Sequence, residues 1–295
     1  TTGLVGFAAP DANGEWQGFD VGVCRAVAAA VLGDPAAVEF VPTTGKTRFT
    51  ALASGEIDVL ARNTTWTFSR DVDRQFEFVG VNYYDGQGFM VPKELGVSSA
   101  KELDGATVCI QTGTTTELNL ADFFRTNNIS YEPVPVETNA EAQPLYLEGA
   151  CDVYTTDASG LAATRATFEA PNDHMLLPEI ISKEPLGPVV RQGDDQWFNL
   201  VKWTHFAMVN AEELGVTSKN VGNPMGVMLV NTTYDKVKDK DGKTKNVVSK
   251  VEKLINVATV QSALGSHFQI TGLSQKEANN LALMIKSGAL QVPVH

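Results

Sequence analysis

The sequence predicts an α/β protein of two wound lobes joined by two extended crossing segments, with a small α+β segment at its C-terminal end. Helical and extended patterns alternate along residues 3–80 and again along 107–168. Extended stretches near 82–92 and 184–192 join the two sets. The pattern then changes late in the chain. The predicted boundaries are 1–90 with 190–218 for lobe 1, 91–189 for lobe 2, and 219–295 for the separate segment.

In lobe 1, Asp20 stands where an N-cap residue would begin a buried, Ala- and Val-rich helix. Short apolar runs predict buried strands, and one of them leads into a polar turn rich in hydroxyl groups. The alternation also predicts a strand ahead of Gly3. The predicted elements of this lobe are helices at 21–32 and 47–54 and strands at 38–41 and 57–61.

In lobe 2 the same alternation of apolar runs and amphipathic stretches continues after an extended segment at 82–91. A return strand at 186–191 and a long amphipathic helix at 197–214 then follow. The predicted elements of this lobe are strands at 107–111, 131–136 and 151–155 and helices at 118–124, 140–147 and 161–168.

The composition excludes some classes of partner. Acidic residues outnumber basic ones by 35 to 23, giving a formal charge of −12, which argues against nucleic acid and anionic membranes. No apolar run is long enough for a membrane span, and the N-terminus of this form does not resemble a signal peptide. Cys109 and Cys151 each touch a predicted strand of one region and would pair in an oxidising compartment, although buried free thiols fit the sequence equally well.

Three polar turns are predicted to converge on the cleft between the lobes: 63–66 with Arg70, 113–115, and Asp157. A guanidinium backed by hydroxyls and free helix amides suits a carboxylate, and an opposing carboxylate suits an ammonium group. Together they describe a site for a zwitterion, a free α-amino acid. Each turn alone also fits a simpler role: a surface salt bridge for Arg70, and helix caps for Asp157 and for the 113–115 turn.

Residues 3–216 resemble the type II periplasmic solute-binding proteins of polar amino acid ABC transporters, and within them the general L-amino acid and glutamate/glutamine/aspartate/asparagine branch. The resemblance spans about three-quarters of the chain. It is carried by motifs that include Gly55-Glu-Ile-Asp-Val-Leu, Arg62-Asn-Thr-Thr-Trp-Thr, Gln111-Thr-Gly-Thr-Thr-Thr-Glu and Asp152-Val-Tyr-Thr-Thr-Asp.

The resemblance implies a periplasmic binding protein type II fold and an exported, monomeric receptor without a cofactor, which passes an L-amino acid to a membrane permease. It also implies individual roles in the site. Arg70 would hold the ligand carboxylate with donors from Thr65, Gly113, Thr114 and Thr115, and Asp157 and the Asn63 carbonyl would take the ammonium. Phe7 would lie against the ligand and Lys46 on the loop that lines its side-chain end. Arg62 would either help to recognise a polar side chain or form an ion pair behind the wall of the site. Arg62, Lys46 and Arg48 favour an acidic or amide side chain, whereas a pocket of broad specificity would adapt through water.

Residues after about 219 resemble instead a periplasmic stretch of SecD, a subunit of the bacterial protein-export machinery, so the chain is either a chimera or carries a genuine extension. We expect there a strand at 226–231, a charged loop at 235–245, a helix or strand near 251–264, a strand at 268–271 and a helix at 275–287. Two other functions stay open. One is a protein-export accessory acting through this segment. The other is a cyclohexadienyl dehydratase-like enzyme using Glu117 or His174.

Overall fold

The computed structural model describes residues 4–217, 219–220, 224–238 and 244–259. The chain forms two compact units, Thr1–Asn210 and Ala211–His295. The first unit contains both predicted lobes except for residues 211–218, which were assigned to lobe 1, and the exact boundaries of the lobes stay a prediction. The strand expected ahead of Gly3 and the elements expected at 268–271 and 275–287 lie outside the described residues.

Lobe 1 combines short strands with helices. Its helices α1 and α2 each end at a glycine in the left-handed region, Gly33 and Gly55, as the sequence suggests for helix termini. A single helical turn at Ser69–Asp73 follows the polar loop. The elements are β1 (Ala9–Pro10), β2 (Trp16–Gln17), α1 (Phe19–Leu32), α2 (Arg48–Ser54), β3 (Phe76–Phe78) and β4 (Tyr83–Asp85).

Lobe 2 is built on a five-stranded sheet in the order β7-β6-β8-β5-β9. The pairs β6–β7 and β6–β8 are parallel, whereas β5 runs antiparallel to both β8 and β9. The elements are β5 (Gln87–Pro92), β6 (Ala106–Gln111), α3 (Thr115–Asn127), β7 (Tyr131–Val136), α4 (Asn139–Leu147), β8 (Val153–Asp157), α5 (Ala158–Ala166) and β9 (His174–Leu176).

Two further strand pairs return the chain to lobe 1. Strand β10 (Glu184–Leu186) pairs with β4, and β11 (Val189–Arg191) pairs with β3, both antiparallel. Helix α6 (Asp195–Glu213) then packs Val201 and Trp197 against Val27 and Val190. The predicted return strand and long helix are therefore present, and the two crossings lie side by side because β4 and β10 are hydrogen-bonded neighbours.

The strands predicted at 38–41 and 57–61 are wrong. No β-strand forms at either place, and the second segment contributes only an isolated bridge between Leu60 and Val189. A strand is stable only when a neighbour satisfies its backbone groups. Between these two segments the structure instead has a groove of about 820 Å³, lined largely by apolar side chains of α1, both segments and Trp197.

A side chain replaces part of the missing ladder in lobe 1. Arg191 Nη1 donates to the carbonyls of Leu52 (3.0 Å) and Ile57 (2.5 Å), and its Nη2 lies 2.8 Å from Asp58 Oδ1. These bonds fasten the segment at 57–61 to the end of α2. Lobe 1 is therefore held by side-chain contacts in a region where lobe 2 uses paired strands.

A disulfide joins Cys109 of β6 to Cys151, with the two Cα atoms 5.6 Å apart. Both residues are fully buried among apolar side chains of lobe 2. The structure therefore favours the paired alternative, while Cys24 in α1 is a free thiol. A disulfide is the state expected of an oxidising compartment.

The second unit contains a long antiparallel hairpin, β12 (Pro224–Lys238) paired with β13 (Thr244–Thr259). The charged loop predicted at 235–245 is wrong in extent, because strand pairing continues to Lys238 and resumes at Thr244. The alternative left open near residue 251 resolves as strand up to Thr259. Among the residues that the structure describes, no helix combines the length and apolar character needed to cross a bilayer.

Candidate functional site

The polar turns of the two lobes meet around a small, partly open cavity. Its volume is about 20 Å³, about the room one water molecule needs, so the lobes are closed on each other. At its rim the two backbones nearly touch, since a Cβ on Gly45 would lie 2.7 Å from the carbonyl oxygen of Thr112. The lining residues are Arg48, Arg62, Asn63, Thr65, Gln111, Thr114, Thr115, Thr116, Thr156 and Asp157.

Arg70 is placed beside this cavity by the helical turn that follows the polar loop. Its guanidinium is buried, with Nη1 donating to the Thr65 carbonyl at 2.8 Å and Cζ 5.0 Å from the Phe49 ring centroid. Burial lowers the pKa of Arg70 to about 10, and the nearby charge of Glu184 partly opposes this decrease. The side chain therefore stays cationic at neutral pH. Arg70 does not line the cavity itself.

The loop at Asn63 is held by Asp20, a residue whose role the sequence misassigned. Asp20 does not cap helix α1, which begins at Phe19 after Gly18. Its Oδ2 instead accepts the Asn63 N–H at 2.9 Å, which fixes a residue in the left-handed region at φ 30°. Desolvation raises the pKa of this buried carboxyl to about 6, and the Asn63 hydrogen bond and the Arg62 charge oppose that rise.

Asp157 ends strand β8 and lines the cavity from the side of lobe 2. It occupies the N-cap position of α5, but its side chain makes no capping hydrogen bond, so the cap alternative does not account for it. Burial, with Asp85 and Glu184 adding to it, raises the pKa of Asp157 to about 8; Arg48 and the Asn63 side chain lower it. A buried carboxyl of this kind suits a cationic partner.

The turn at 113–115 begins helix α3 earlier than predicted. Thr114 Oγ1 accepts the Glu117 N–H, and Glu117 Oε2 accepts the N–H of Gly113 at 2.9 Å instead of that of Thr114, a variant of the capping box that explains the start of the helix. The cap alternative therefore holds for Thr114, although Thr114 also lines the cavity. Thr115 is directed toward lobe 1, with its Oγ1 3.4 Å from Thr65 Oγ1.

Glu184 is a buried carboxylate that sequence reasoning missed. It lies on crossing strand β10 and accepts hydrogen bonds from both lobes and from the crossing itself. The donors are Thr65 Oγ1 (2.5 Å), Thr115 Oγ1 (2.8 Å), Asn119 Nδ2 (2.8 Å) and Ser182 Oγ (2.6 Å). In the sequence Glu184 is one acidic residue in an extended stretch, and no local signal marks it.

Comparison with known proteins identifies the family. The model of the bacterial extracellular solute-binding proteins, family 3, matches residues 3–223. The chain belongs to this family. It is 68% identical over 219 residues to the glutamate/glutamine/aspartate/asparagine-binding protein BztA of Rhodobacter capsulatus, covering 74% of this chain and 65% of that protein. The chain thus spans somewhat less than two thirds of the length of that relative.

Solved structures of this family share the fold. The ABC transporter/periplasmic binding protein from Brucella ovis, determined with glutathione bound, is 57% identical with a TM-score of 0.72, covering 75% of this chain and 70% of that one. The predicted type II periplasmic binding protein fold is thereby confirmed. Residues 211–292 match the SecDF P1 head subdomain. SecD of Haemophilus influenzae is 46% identical there over 79 residues, 26% of this chain and 12% of that protein.

Of the other predicted site residues, Arg62 lines the cavity, whereas Phe7 and Lys46 do not. Arg62 lines it and donates from Nε to the Thr43 carbonyl at 3.0 Å. Phe7 packs edge-on against Phe19 and Tyr83 outside the lining. Lys46 is half exposed and pairs with Glu137 of lobe 2 at 3.4 Å. Their contact with a ligand, like that of Arg70 and Gly113, stays a prediction.

Proposed function

We propose that residues 1–210 form an exported receptor that captures a free L-amino acid between its lobes and delivers it to an ABC transporter permease. The ligand is a polar amino acid, such as glutamate, glutamine, aspartate or asparagine, or one of a broader set. The receptor acts in the periplasm as a monomer, without a cofactor or nucleic acid. The observation that carries this proposal is an interlobe cavity with buried guanidinium and carboxyl groups around it.

The arrangement of these charges supports a zwitterionic ligand. Asp157 faces the cavity from lobe 2, while Arg70 and the Thr65 hydroxyl lie on the lobe 1 side. The relatives are named as amino acid-binding proteins or as a binding protein of an amino-acid ABC transporter, and these names support the same interpretation. The cavity has no room for an amino acid, so binding requires the lobes to separate, and a ligand that bridges both lobes then favours a closed arrangement around itself.

The enzyme alternative is disfavoured by where its candidate acid and base lie. Glu117 is engaged in the capping box with Gly113. His174 Nδ1 lies 2.9 Å from the hydroxyl of Tyr146, in the outer part of lobe 2. Neither lines the cavity. A general acid or base must reach its substrate, and both candidates are already engaged in these hydrogen bonds, which favours the binding protein over the dehydratase.

No second function is proposed for the C-terminal unit. Its similarity to the P1 head subdomain covers only a small part of SecD. Binding of translocon components by the full chain, in the absence of amino acid binding, would reverse this choice.

Calorimetry and thermal-shift screening of the full chain with the twenty amino acids test the proposal, because a ligand that binds only the folded state raises its melting temperature. We expect Arg70→Ala and Asp157→Ala each to abolish measurable binding. Arg125→Ala and Asp122→Ala change the same residue types in an exposed ion pair on α3 and serve as controls. Near-normal affinity in both site variants would refute the proposal, as would a wild-type protein that binds no amino acid.

A further inference from the structure

Helix α5 of lobe 2 begins without a cap from its own N-cap residue. Asp157 stands at that position, yet its side chain makes no capping hydrogen bond. Helices α3 and α4 of the same lobe are each capped by the threonine at their N-cap position, Thr114 and Thr138. Aspartate is among the most favourable N-cap residues, so its absence from the cap of α5 needs a physical cause.

The first amides of α5 are bound instead by residues 85–86 of the crossing segment. The Gly86 carbonyl accepts the Ala158 N–H at 2.8 Å, and Asp85 Oδ1 accepts the Ser159 N–H at 3.4 Å. Asp85 Oδ2 also accepts the Ser159 hydroxyl. Asp85 thus supplies the side-chain oxygen that an N-cap residue provides in other helices, and its negative charge lies at the positive end of the helix dipole.

The register of two strands places Asp85 at this helix end. Strand β5 pairs antiparallel with β8, and Gln87 lies opposite Asp157. Because the two strands run in opposite directions, the residues just before Gln87 lie beside the residues just after Asp157, where α5 begins. Asp85 is the last residue of crossing strand β4. The cap of α5 therefore comes from the crossing and not from the strand that leads into the helix.

We propose that Asp85 is a positioning residue: it caps α5 in place of Asp157, and this leaves the Asp157 carboxyl free for the ammonium group of the ligand. The ammonium contact rests on the proposed function, whereas the cap does not. Asp157 lines the cavity and Asp85 does not. A carboxyl that accepts the N–H groups at the start of α5 turns its oxygen atoms toward the helix and away from a ligand, so one residue cannot perform both roles.

The first test is calorimetry of the full chain with L-glutamate. In Asp85→Ala the Ser159 N–H loses its acceptor, Asp157 turns to accept it, and a ligand must displace this contact. We expect about a 10-fold loss of affinity, the size of a typical N-cap contribution. Asp85→Asn should bind within about 2-fold of the wild type, because an asparagine oxygen caps a helix as well as an aspartate oxygen does. Equal losses in the two variants would overturn the inference, since the charge of Asp85 would then be what matters.

Asp104→Ala is the matched control. Asp104 Oδ1 accepts the N–H of Ser130 at 2.7 Å and its hydroxyl at 2.8 Å, the same two groups that Asp85 accepts from Ser159. Neither Asp104 nor Ser130 lines the cavity. The substitution therefore removes the same kind of contact from lobe 2, and glutamate affinity should stay unchanged. A loss equal to that of Asp85→Ala would contradict the inference.

Residue-resolved hydrogen exchange at the Ser159 amide of the ligand-free protein tests the cap without any ligand. The amide should stay protected in Asp157→Ala, where Asp85 caps, and in Asp85→Ala, where Asp157 takes over. It should exchange rapidly only in the double variant. Equal rates in Asp85→Ala and the double variant would overturn the inference and leave the proposed function standing.

A wild-type protein that binds no amino acid would remove the proposed function, and with it the ammonium contact, whatever the exchange rates show. If Asp85→Ala does not fold, the other two single variants decide. A loss of glutamate affinity in Asp85→Asn, or rapid exchange of the Ser159 amide in Asp157→Ala, contradicts the inference. Retained affinity in the first and protection in the second support it.

Discussion

Lobe 1 and lobe 2 both contribute to the cavity wall, yet they are built differently. Lobe 2 has a five-stranded sheet, a disulfide inside it and two apolar clusters on its faces. Lobe 1 has strands of two or three residues, and a groove of about 820 Å³ lies where neighbouring strands were predicted. The backbone of lobe 2 is therefore fixed by ladders, whereas that of lobe 1 depends on individual side chains.

This difference means that the two lobes position their site residues in different ways. In lobe 2, Asp157 is placed by the sheet, because it is the last residue of a buried strand. In lobe 1, the loop at Asn63 is placed by one buried carboxylate, Asp20, and the segment before it by Arg191. Single substitutions should thus perturb lobe 1 more than equivalent ones perturb lobe 2, unless they remove a covalent link.

The largest expected effect is the loss of that covalent link. Replacing both Cys109 and Cys151 by Ser frees a loop of 42 residues, which should cost about 4 kcal/mol of unfolding free energy through the entropy of the unfolded chain. Urea unfolding of the double variant measures it. Replacing the free thiol Cys24 by Ser is the control. A loss below about 1 kcal/mol in the double variant would show that lobe 2 does not depend on the link.

A smaller effect is expected from the side chain that fastens lobe 1. Arg191→Met should cost about 2 kcal/mol, because it leaves two backbone carbonyls without their charged donor. Hydrogen exchange should then accelerate at 57–61 and stay unchanged in β6. The control Arg125→Met breaks an exposed pair and should cost less than about 0.5 kcal/mol. Equal effects of the two substitutions would contradict the proposed weakness of lobe 1.

Over any one pH unit the smallest expected change in stability comes from the titration of two of the buried carboxyls of the site, Asp157 and Asp20. The folded-state pKa of Asp157 is raised from 3.8 to about 8, so the unfolded chain loses this proton first and stability falls as the pH rises between these values. The slope is at most about 1.4 kcal/mol per pH unit. Asp157→Asn should remove this slope.

Asp20 gives the matching measurement in lobe 1. Its pKa is raised from 3.8 to about 6, so Asp20→Asn should flatten only the lower part of the same range. Urea unfolding midpoints are measured for each ligand-free variant and for the wild type across this pH range. The difference between variant and wild type gives the contribution of that carboxyl. If the stability of both variants follows the same pH dependence as the wild type, neither carboxyl is held protonated in the folded protein.

Local patterns predicted much of the fold and part of the site. The apolar runs of lobe 2 became strands because neighbours are present to pair with them, and the same kind of run at 38–41 formed none. Asp157 was found because a charged residue at the end of a buried strand stands out in the sequence. Thr114 was found for its hydroxyl, and its capping role follows from Glu117 three residues later.

The residues that sequence reasoning missed are defined by distant partners. Glu184 receives its bond from Thr65 across 119 positions, and Asp20 binds Asn63 across 43. The sequence pointed to Arg48 as a cation but not to its buried, unpaired donor, which exists only once α2 packs beside the cavity. Such roles belong to the tertiary arrangement, because no spacing within one element produces them.

The glycines at the rim of the cavity act as a spacer for the whole site. Gly45 approaches the Thr112 carbonyl, and a Cβ on Gly113 would meet Lys46 Cγ at 2.9 Å. The separation of the closed lobes is thus limited by main chain against main chain, at a point that contacts none of the buried charges. A methyl group placed there would enlarge the chamber without altering its chemistry. On the proposed function, the absence of a side chain at Gly45 therefore sets how closely the lobes approach each other around a bound amino acid.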